Sequence, residues 1–283
     1  MRPSKQFPRS QLSLEKLKDF FEKQDLKNIT TQNRRKFRKH AEATLWFLDQ
    51  GLVRVWDPHS QTVNVWVKQA ILTYFRTAPI HIYGAGCFEY WDKLPVKTRA
   101  SFKDVRVVPG AVIRFGSFLE PGTICMPSFV NIGAYVGKGT LIDTWATVGS
   151  CAQVGQNVHI SGGVGIGGVL EPAQAAPVIV EDGVFLGSRV ILVEGVQVGE
   201  QAVLGAGVVL TASTKIVDVR EKNPQIFTGR IPPRSVVIPG VLPKTFPAGE
   251  YGVPCALIIG SRSASTDLKT SLNGALREYG VAA

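Results

Sequence analysis

The 283-residue chain has no run of 18 apolar residues, which excludes a membrane-crossing helix. Its N-terminus, Met1 to Leu14, lacks the apolar segment of a secretory signal, so none is expected. Cysteine is scarce. Cys87, Cys125, Cys151 and Cys255 are far apart and form no CxxC pair. A disulfide scaffold and a zinc site are therefore not expected, and the usage fits a reducing cytoplasm. Histidine is equally sparse, and of His40, His59, His81 and His159 only the last falls in the central region. A metal centre built from several histidines has too few ligands there. Against these absences, 45% of residues are apolar and mean hydropathy is +0.09, enough for a sizeable core and against global disorder.

The net charge is +10, and its distribution decides its meaning. Residues 1–40 hold 12 Lys/Arg against 4 Asp/Glu, whereas residues 105–215 hold 5 against 7. The densest basic run, Arg34 to Lys39, reads as the solvated face of a helix. The central region is slightly acidic, so a nucleic-acid groove along it is not expected.

The central region carries a repeat. An aliphatic or aromatic residue recurs every six positions at Val112, Phe118, Ile124, Val130, Val136, Ile142, Val148, Val154, Ile160 and Ile166. A break containing Leu170 to Pro177 follows. The period resumes two residues out of step at Val180, Leu186, Leu192, Val198, Leu204, Leu210 and Ile216. Six is neither the helical period nor strand alternation. It fits short strands joined by tight turns, three to a coil. The expected fold is mainly β, a left-handed parallel β-helix of hexapeptide repeats. Five to six coils at about 4.8 Å each give a prism roughly 25–30 Å long. A small residue after each inward aliphatic, such as Gly137, Gly149 or Gly155, is expected to let the chain turn the corner. The phase slip predicts a loop excursion near 168–179.

Residues 1–104 lack the period and read as a small α-rich N-terminal domain. Helices are expected over Leu12–Phe21, Arg34–Leu48 and Trp66–Phe75, with Thr30 and Thr31 as caps, and short strands near 51–56 and 62–67. The prism occupies 105–216. Residues 217–283 form a C-terminal β/α cap, with strands at Ser235–Ile238 and Pro254–Ile259 and a final helix over Asp267–Tyr279, folded across the open strand edges.

Gly163 to Gly168 matches GxGxxG, but its glycines keep the hexapeptide register, so a dinucleotide site is not expected. Many hexapeptide solenoids are acyltransferases that use a histidine base, and His159 is the one histidine in the prism. A structural corner role for it is favoured over a catalytic one. Without a histidine, a carboxylate must deprotonate the nucleophile, and Asp143 is the candidate. Trp145, two residues on, is a large aromatic on a prism face that needs a partner surface, such as a neighbouring subunit. Arg106 and Arg114 flank the prism entrance and read evenly as carboxylate grips or surface arginines.

Three strings go further. Ser128 to Val136, Asp143 to Gly155 and Asn157 to Pro172 resemble the tetrahydrodipicolinate N-succinyltransferases of bacterial lysine and diaminopimelate synthesis. The likeness is densest over about 105–195 and extends loosely through Trp66–Ala70 and Ile226–Pro232. It implies a cytoplasmic homotrimer with active sites between adjacent prisms. It also implies succinyl-CoA as co-substrate, no permanently bound cofactor or metal, and small molecules rather than nucleic acid or membrane as partners. Carried over by motif, Asp143 holds and deprotonates the acceptor amine and Arg106 binds an acceptor carboxylate. Lys215, Arg220, Lys222 and Arg230 are the basic residues near the C-terminal coils that can meet coenzyme A phosphates, or are solvated surface charge. A second functional carboxylate of the family falls on Ile191, which has no acid–base chemistry. Asp143 acting alone, Glu194, a loop carboxylate or a different acceptor are the alternatives. The rival readings are an acetyl-CoA-dependent relative acting on the same acceptor and a non-catalytic hexapeptide scaffold.

Overall fold

The computed structural model describes residues 12–85, 88–98 and 101–262. The helix expected over Asp267–Tyr279 lies outside the described residues.

Three helices, α1 (Leu14–Lys23), α2 (Arg34–Asp49) and α3 (Val65–Thr77), form the N-terminal region. Ser13 starts α1 by accepting the Lys16 N–H on its hydroxyl. Thr30 and Thr31 are not the caps of α2. The chain still turns through them, and the N-cap is Asn33, whose Oδ1 accepts the Thr30 N–H at 2.8 Å. The basic run of α2 is used within the fold. Arg34 donates to the Thr77 carbonyl at the C-terminus of α3 (3.1 Å), Lys36 lies over the Phe20 ring and Arg38 pairs with Glu42. Leu17, Phe21, Phe37, Leu45, Val67 and Ile71 make one core with Phe115, Ile132 and Cys151, which come from a prism corner. A buried ion pair, Lys97–Asp49 at 2.7 Å, reinforces that junction, and Asp49 also accepts the Gly116 N–H at 2.9 Å.

The prism has three walls of parallel strands mostly two residues long, two in six-stranded sheets and the third in a ten-stranded sheet that turns antiparallel at its C-terminal end. The parallel coils bear out the hexapeptide reading, and from Val130 to Leu210 the expected ranks point inward and are buried. The first three ranks differ. Ile113, Leu119 and Cys125 are the inward residues, in register with Val130, Val136 and Ile142, while Val112, Phe118 and Ile124 face outward. The step from Cys125 to Val130 is five residues, because the Met126–Pro127–Ser128 corner is one residue short. Both neighbouring positions are apolar there, so periodicity alone did not separate them. Ile216 is also not a coil position. It lies on a strand, Ile216–Asp218, that pairs with Gly249–Ser261. The coil itself resumes at Arg230–Ile231 and Val236–Val237, which pair with the coil strands Gln197–Val198 and Val203–Leu204. Residues 167–178 and 211–229 thus leave the prism at the same corner. Ser235–Phe246 and Gly249–Ser261 form a long antiparallel hairpin that continues the ten-stranded sheet.

The small residue after each inward aliphatic has a different job from the one expected. A Cβ on Gly137 would meet Gly155 backbone at 2.5 Å, and one on Gly149 would meet Gly168 backbone at 2.2 Å. Those glycines allow the coils to stack closely. The turn itself is made at the third residue after the inward one, in the left-handed region, at Gly139 and Gly163 but also at Trp145, Cys151, Asn157 and Arg189.

Candidate active site

Asp143 follows the strand Leu141–Ile142 and opens the corner that leads to Thr147–Val148. Its N–H is held by the Ile160 carbonyl (2.9 Å). Its Oδ1 accepts the Thr144 N–H at 2.6 Å, leaving Oδ2 without a hydrogen bond among the described residues. The carboxylate is half-buried. It is thus fixed in orientation yet open on one oxygen, as a group that receives a proton requires.

Arg106 stands on the same wall. The register aligns Arg106, Ile124, Leu141, His159, Phe185 and Val203 as an outward column on the ten-stranded sheet. Arg106 is exposed and two strands from Leu141, about 10 Å at the usual strand spacing. Asp143 falls on the same side by alternation, so the structure brings Arg106 and Asp143 to one face. Arg114 belongs elsewhere. It bonds Asp92 at 2.6 Å and Asn131 at 3.0 Å, fastening the His81–Asp92 hairpin to the prism.

His159 is not a corner residue. It lies on a strand face, stacked flat on Phe185 at 4.6 Å between centroids, and is the diagonal neighbour of Asp143. Burial lowers its pKa, and the nearby Asp143 charge works against that lowering. Trp145 is also at a corner rather than on a face. It has φ 62° and is 80% exposed. The three thiols among the described residues offer no ready nucleophile. Burial pushes Cys125 and Cys151 up to about 12, and Cys255 is raised as well.

The four basic residues are not brought together. Lys215 and Lys222 are exposed on the 211–229 excursion. Arg220, on the same excursion, grips Asp218 with two nitrogens (2.8 and 2.6 Å) and donates to the Ser261 hydroxyl (2.6 Å). Arg230 lies on a different sheet and faces Glu181 at 3.5 Å. Ile191 projects over Gly165 on the outer face of the third sheet. Glu194 is on the corner that carries the excursions, where it accepts the Ala212 N–H (3.1 Å), so it does not stand beside Asp143.

A family model described as the N-terminal region of tetrahydrodipicolinate N-succinyltransferase matches residues 14–77, and one described as the hexapeptide repeat of succinyl-transferase matches 177–212. A 2,3,4,5-tetrahydropyridine-2,6-dicarboxylate N-succinyltransferase from Methylobacterium sp. is 48% identical over 90% of this chain and 95% of its own. One from Aromatoleum aromaticum is 52% identical over 81% and 86%. The chain belongs to the tetrahydrodipicolinate N-succinyltransferase family. The resemblance carried by the three central strings is therefore borne out, and the scaffold reading gives way to that of an N-acyltransferase. A crystal structure assigned to a 2,3,4,5-tetrahydropyridine-2-carboxylate N-succinyltransferase from Campylobacter jejuni is 16% identical, covers 79% of this chain and 62% of its own, and gives a TM-score of 0.49.

For this N-succinyltransferase, two features had little signal in the sequence. Lys68 is fully buried and donates to the Ala175 carbonyl at 2.7 Å, holding the 167–178 excursion against α3. Burial lowers its pKa. Its place on the apolar face of a helix was the only clue. The second is a cavity of about 410 Å³ on the outer face of the sheet containing Tyr135 and Gln153, roofed by residues 54–61. Tyr135, Gln153 and Gln197 occupy its outward repeat positions, where the hexapeptide pattern is silent.

Proposed function

We propose that the protein moves a succinyl group from succinyl-CoA to the amine of open-chain tetrahydrodipicolinate, in the cytoplasm, as a homotrimer of left-handed prisms. Family membership supports the reaction class. The observation that carries the site is the placement of Arg106 and Asp143 on one open wall. Arg106 takes an acceptor carboxylate as a charge-assisted pair. The free oxygen of Asp143 accepts the proton as the amine attacks the thioester carbonyl. Main-chain N–H groups stabilise the tetrahedral oxyanion, which collapses to the amide and expels the thiolate of coenzyme A. The proton goes to that thiolate, and no covalent enzyme intermediate forms. Alignment of the two substrates supplies much of the rate. With Ile191 unable to titrate, Asp143 acts with His159, which with Arg106 makes up the ionisable side chains of the Arg106–Val203 column. Lys215 and Lys222 remain the open cations for coenzyme A phosphates. Arg220 reaches that role only by releasing Asp218, and Arg230 lies on another face. The prism takes in 105–210 apart from the 167–178 excursion, with Arg230–Ile238 as its last turn, the α-rich domain 1–104, and the remaining C-terminal residues the cap.

The test is release of coenzyme A thiol from succinyl-CoA and acetyl-CoA in parallel, with tetrahydrodipicolinate. Release with succinyl-CoA alone is expected. Release with acetyl-CoA alone moves the donor to acetyl. Silence with both removes tetrahydrodipicolinate as the acceptor.

A further inference from the structure

The cavity roofed by residues 54–61 is built around Arg54. This guanidinium lies over the Tyr135 ring at 3.6 Å and donates from Nε to the Gln153 side-chain oxygen at 3.1 Å. Both supports are themselves fixed. Gln153 is buried, with its amide nitrogen on the carbonyls of Gly133, Cys151 and Ala152, and the Tyr135 hydroxyl donates to Glu120. The two terminal nitrogens of Arg54 have no hydrogen-bond partner among the described residues, and no carboxylate forms an ion pair with it. A preorganised guanidinium fork with free donors is a carboxylate receptor.

The rest of the cavity's charged lining is largely acidic, and the charges of Glu120 and Asp182 are felt at Arg54 without forming an ion pair with it. Asp182 spends Oδ1 on the Gln156 N–H, leaving Oδ2 without a partner among the described residues, and the Glu200 carboxylate makes no hydrogen bond there. Glu120 is occupied by Tyr135 and the Lys138 N–H, and Glu181 by Arg230 and the Glu200 N–H. Among the described residues of the lining, Arg54 is the cation without an ion pair and Asp182 and Glu200 are the carboxylates without one, while Arg230 faces Glu181 at 3.5 Å. Asp182 and Glu200 sit one and two coils beyond Gln153, about 5 and 10 Å along the prism. The cavity volume lies within the range of small-molecule sites.

We propose that this cavity binds a free diamino monocarboxylic acid, with its carboxylate on the Arg54 fork and its two ammonium groups toward Asp182 and Glu200. The ligand is the charge complement of the unpaired groups. The site is on a different sheet from Asp143, so it stands independently of the proposed catalytic reading.

Isothermal titration of the full-length protein with L-lysine tests this, against 1,5-diaminopentane (no carboxylate), 6-aminohexanoate (no α-ammonium) and L-norleucine (no side-chain ammonium). L-lysine is expected to bind at least tenfold more tightly than each. Arg54→Gln should lose at least tenfold. Glu200→Gln, an exposed position that leaves the Arg54 supports intact, should bring L-lysine to the affinity of L-norleucine and leave L-norleucine unchanged. Asp143→Asn should bind L-lysine as the parent does. No saturable heat from L-lysine, equal affinity for 1,5-diaminopentane, insensitivity to Glu200→Gln, or loss of binding in Asp143→Asn would each overturn the assignment. If Arg54→Gln does not fold, the Glu200→Gln result decides.

Discussion

Asp143 and Arg106 divide the proposed reaction into two separable roles, because one moves a proton and the other only holds charge. Asp143→Asn keeps the shape and the Thr144 N–H contact, since an amide oxygen can still accept it. What it removes is the basic oxygen. A general base contributes typically 10²–10⁴-fold, so kcat should fall by about that factor while sedimentation shows an unchanged assembly. Near-parental turnover would take Asp143 out of the role. Arg106→Ala should instead raise the acceptor KM by roughly 10–100-fold, the effect of a lost charged hydrogen bond of about 1.5–3 kcal/mol, with donor KM little changed. Equal effects on both KM values would sink the carboxylate assignment. Asp143 was legible because it opens a string that resembles a family, and Arg106 because it stands at the start of the region, about 105–195, over which that likeness is densest. The neighbourhood that makes them act together was not, since the Arg106–Asp143 wall is assembled by register across three strands. His159 shows the same limit. The sequence favoured a corner role, and its place on a strand face beside Asp143 depends on the coil's three-dimensional phase.

At the scale of a coil, the hexapeptide period was readable because each strand buries one apolar side chain, and that signal repeats without help from distant contacts. It failed where two adjacent apolar residues competed, at Val112/Ile113, Phe118/Leu119 and Ile124/Cys125, and where a strand outside the coil imitated a rank, at Ile216. Corner glycines were recognised as small but assigned the wrong cause. Close stacking, not turning, makes Gly149 necessary, and a methyl group there would press on Gly168 backbone at 2.2 Å. Backbone cannot yield as a side chain does, so Gly149→Ala should destabilise by about 1–3 kcal/mol, the usual cost of overpacking. Gly207→Ala is the control. It has open space but φ +75°, so its cost is the left-handed penalty alone, roughly 1 kcal/mol. Chemical denaturation of the two variants should therefore rank Gly149→Ala below Gly207→Ala. The reverse order would mean that the coils can spread apart at that corner.

Among the described residues, two of the three outer walls of the prism carry no covering helix. The N-terminal helices and the excursions occupy one corner, with Phe115, Ile132 and Cys151 in their core. Away from it, the outward columns are apolar at Ile124, Leu141 and Phe185, interrupted by His159, and at Phe129, Ile191 and Val209, interrupted by Thr147 and Gly165, and Trp145 stands on the corner between them. Trp145 is 80% exposed and holds a left-handed φ of 62°, which a bulky residue adopts only at a cost of about 1–3 kcal/mol. A strained tryptophan exposed among the described residues fits the proposed contact with a neighbouring prism. Trp145→Gly separates the two effects, since glycine accepts that φ without strain. The isolated chain should melt no lower than the parent, or about 1 kcal/mol more stably. The assembly should weaken, because burying a tryptophan removes some 150–250 Å² from water, worth roughly 4–6 kcal/mol per copy at 25 cal/mol/Å². Sedimentation velocity across a dilution series should show the parent as a trimer and the variant dissociating at concentrations where the parent does not, with activity lost in step if the site lies between prisms. An unchanged trimer in the variant would place Trp145 outside the interface and separate the apolar walls from assembly.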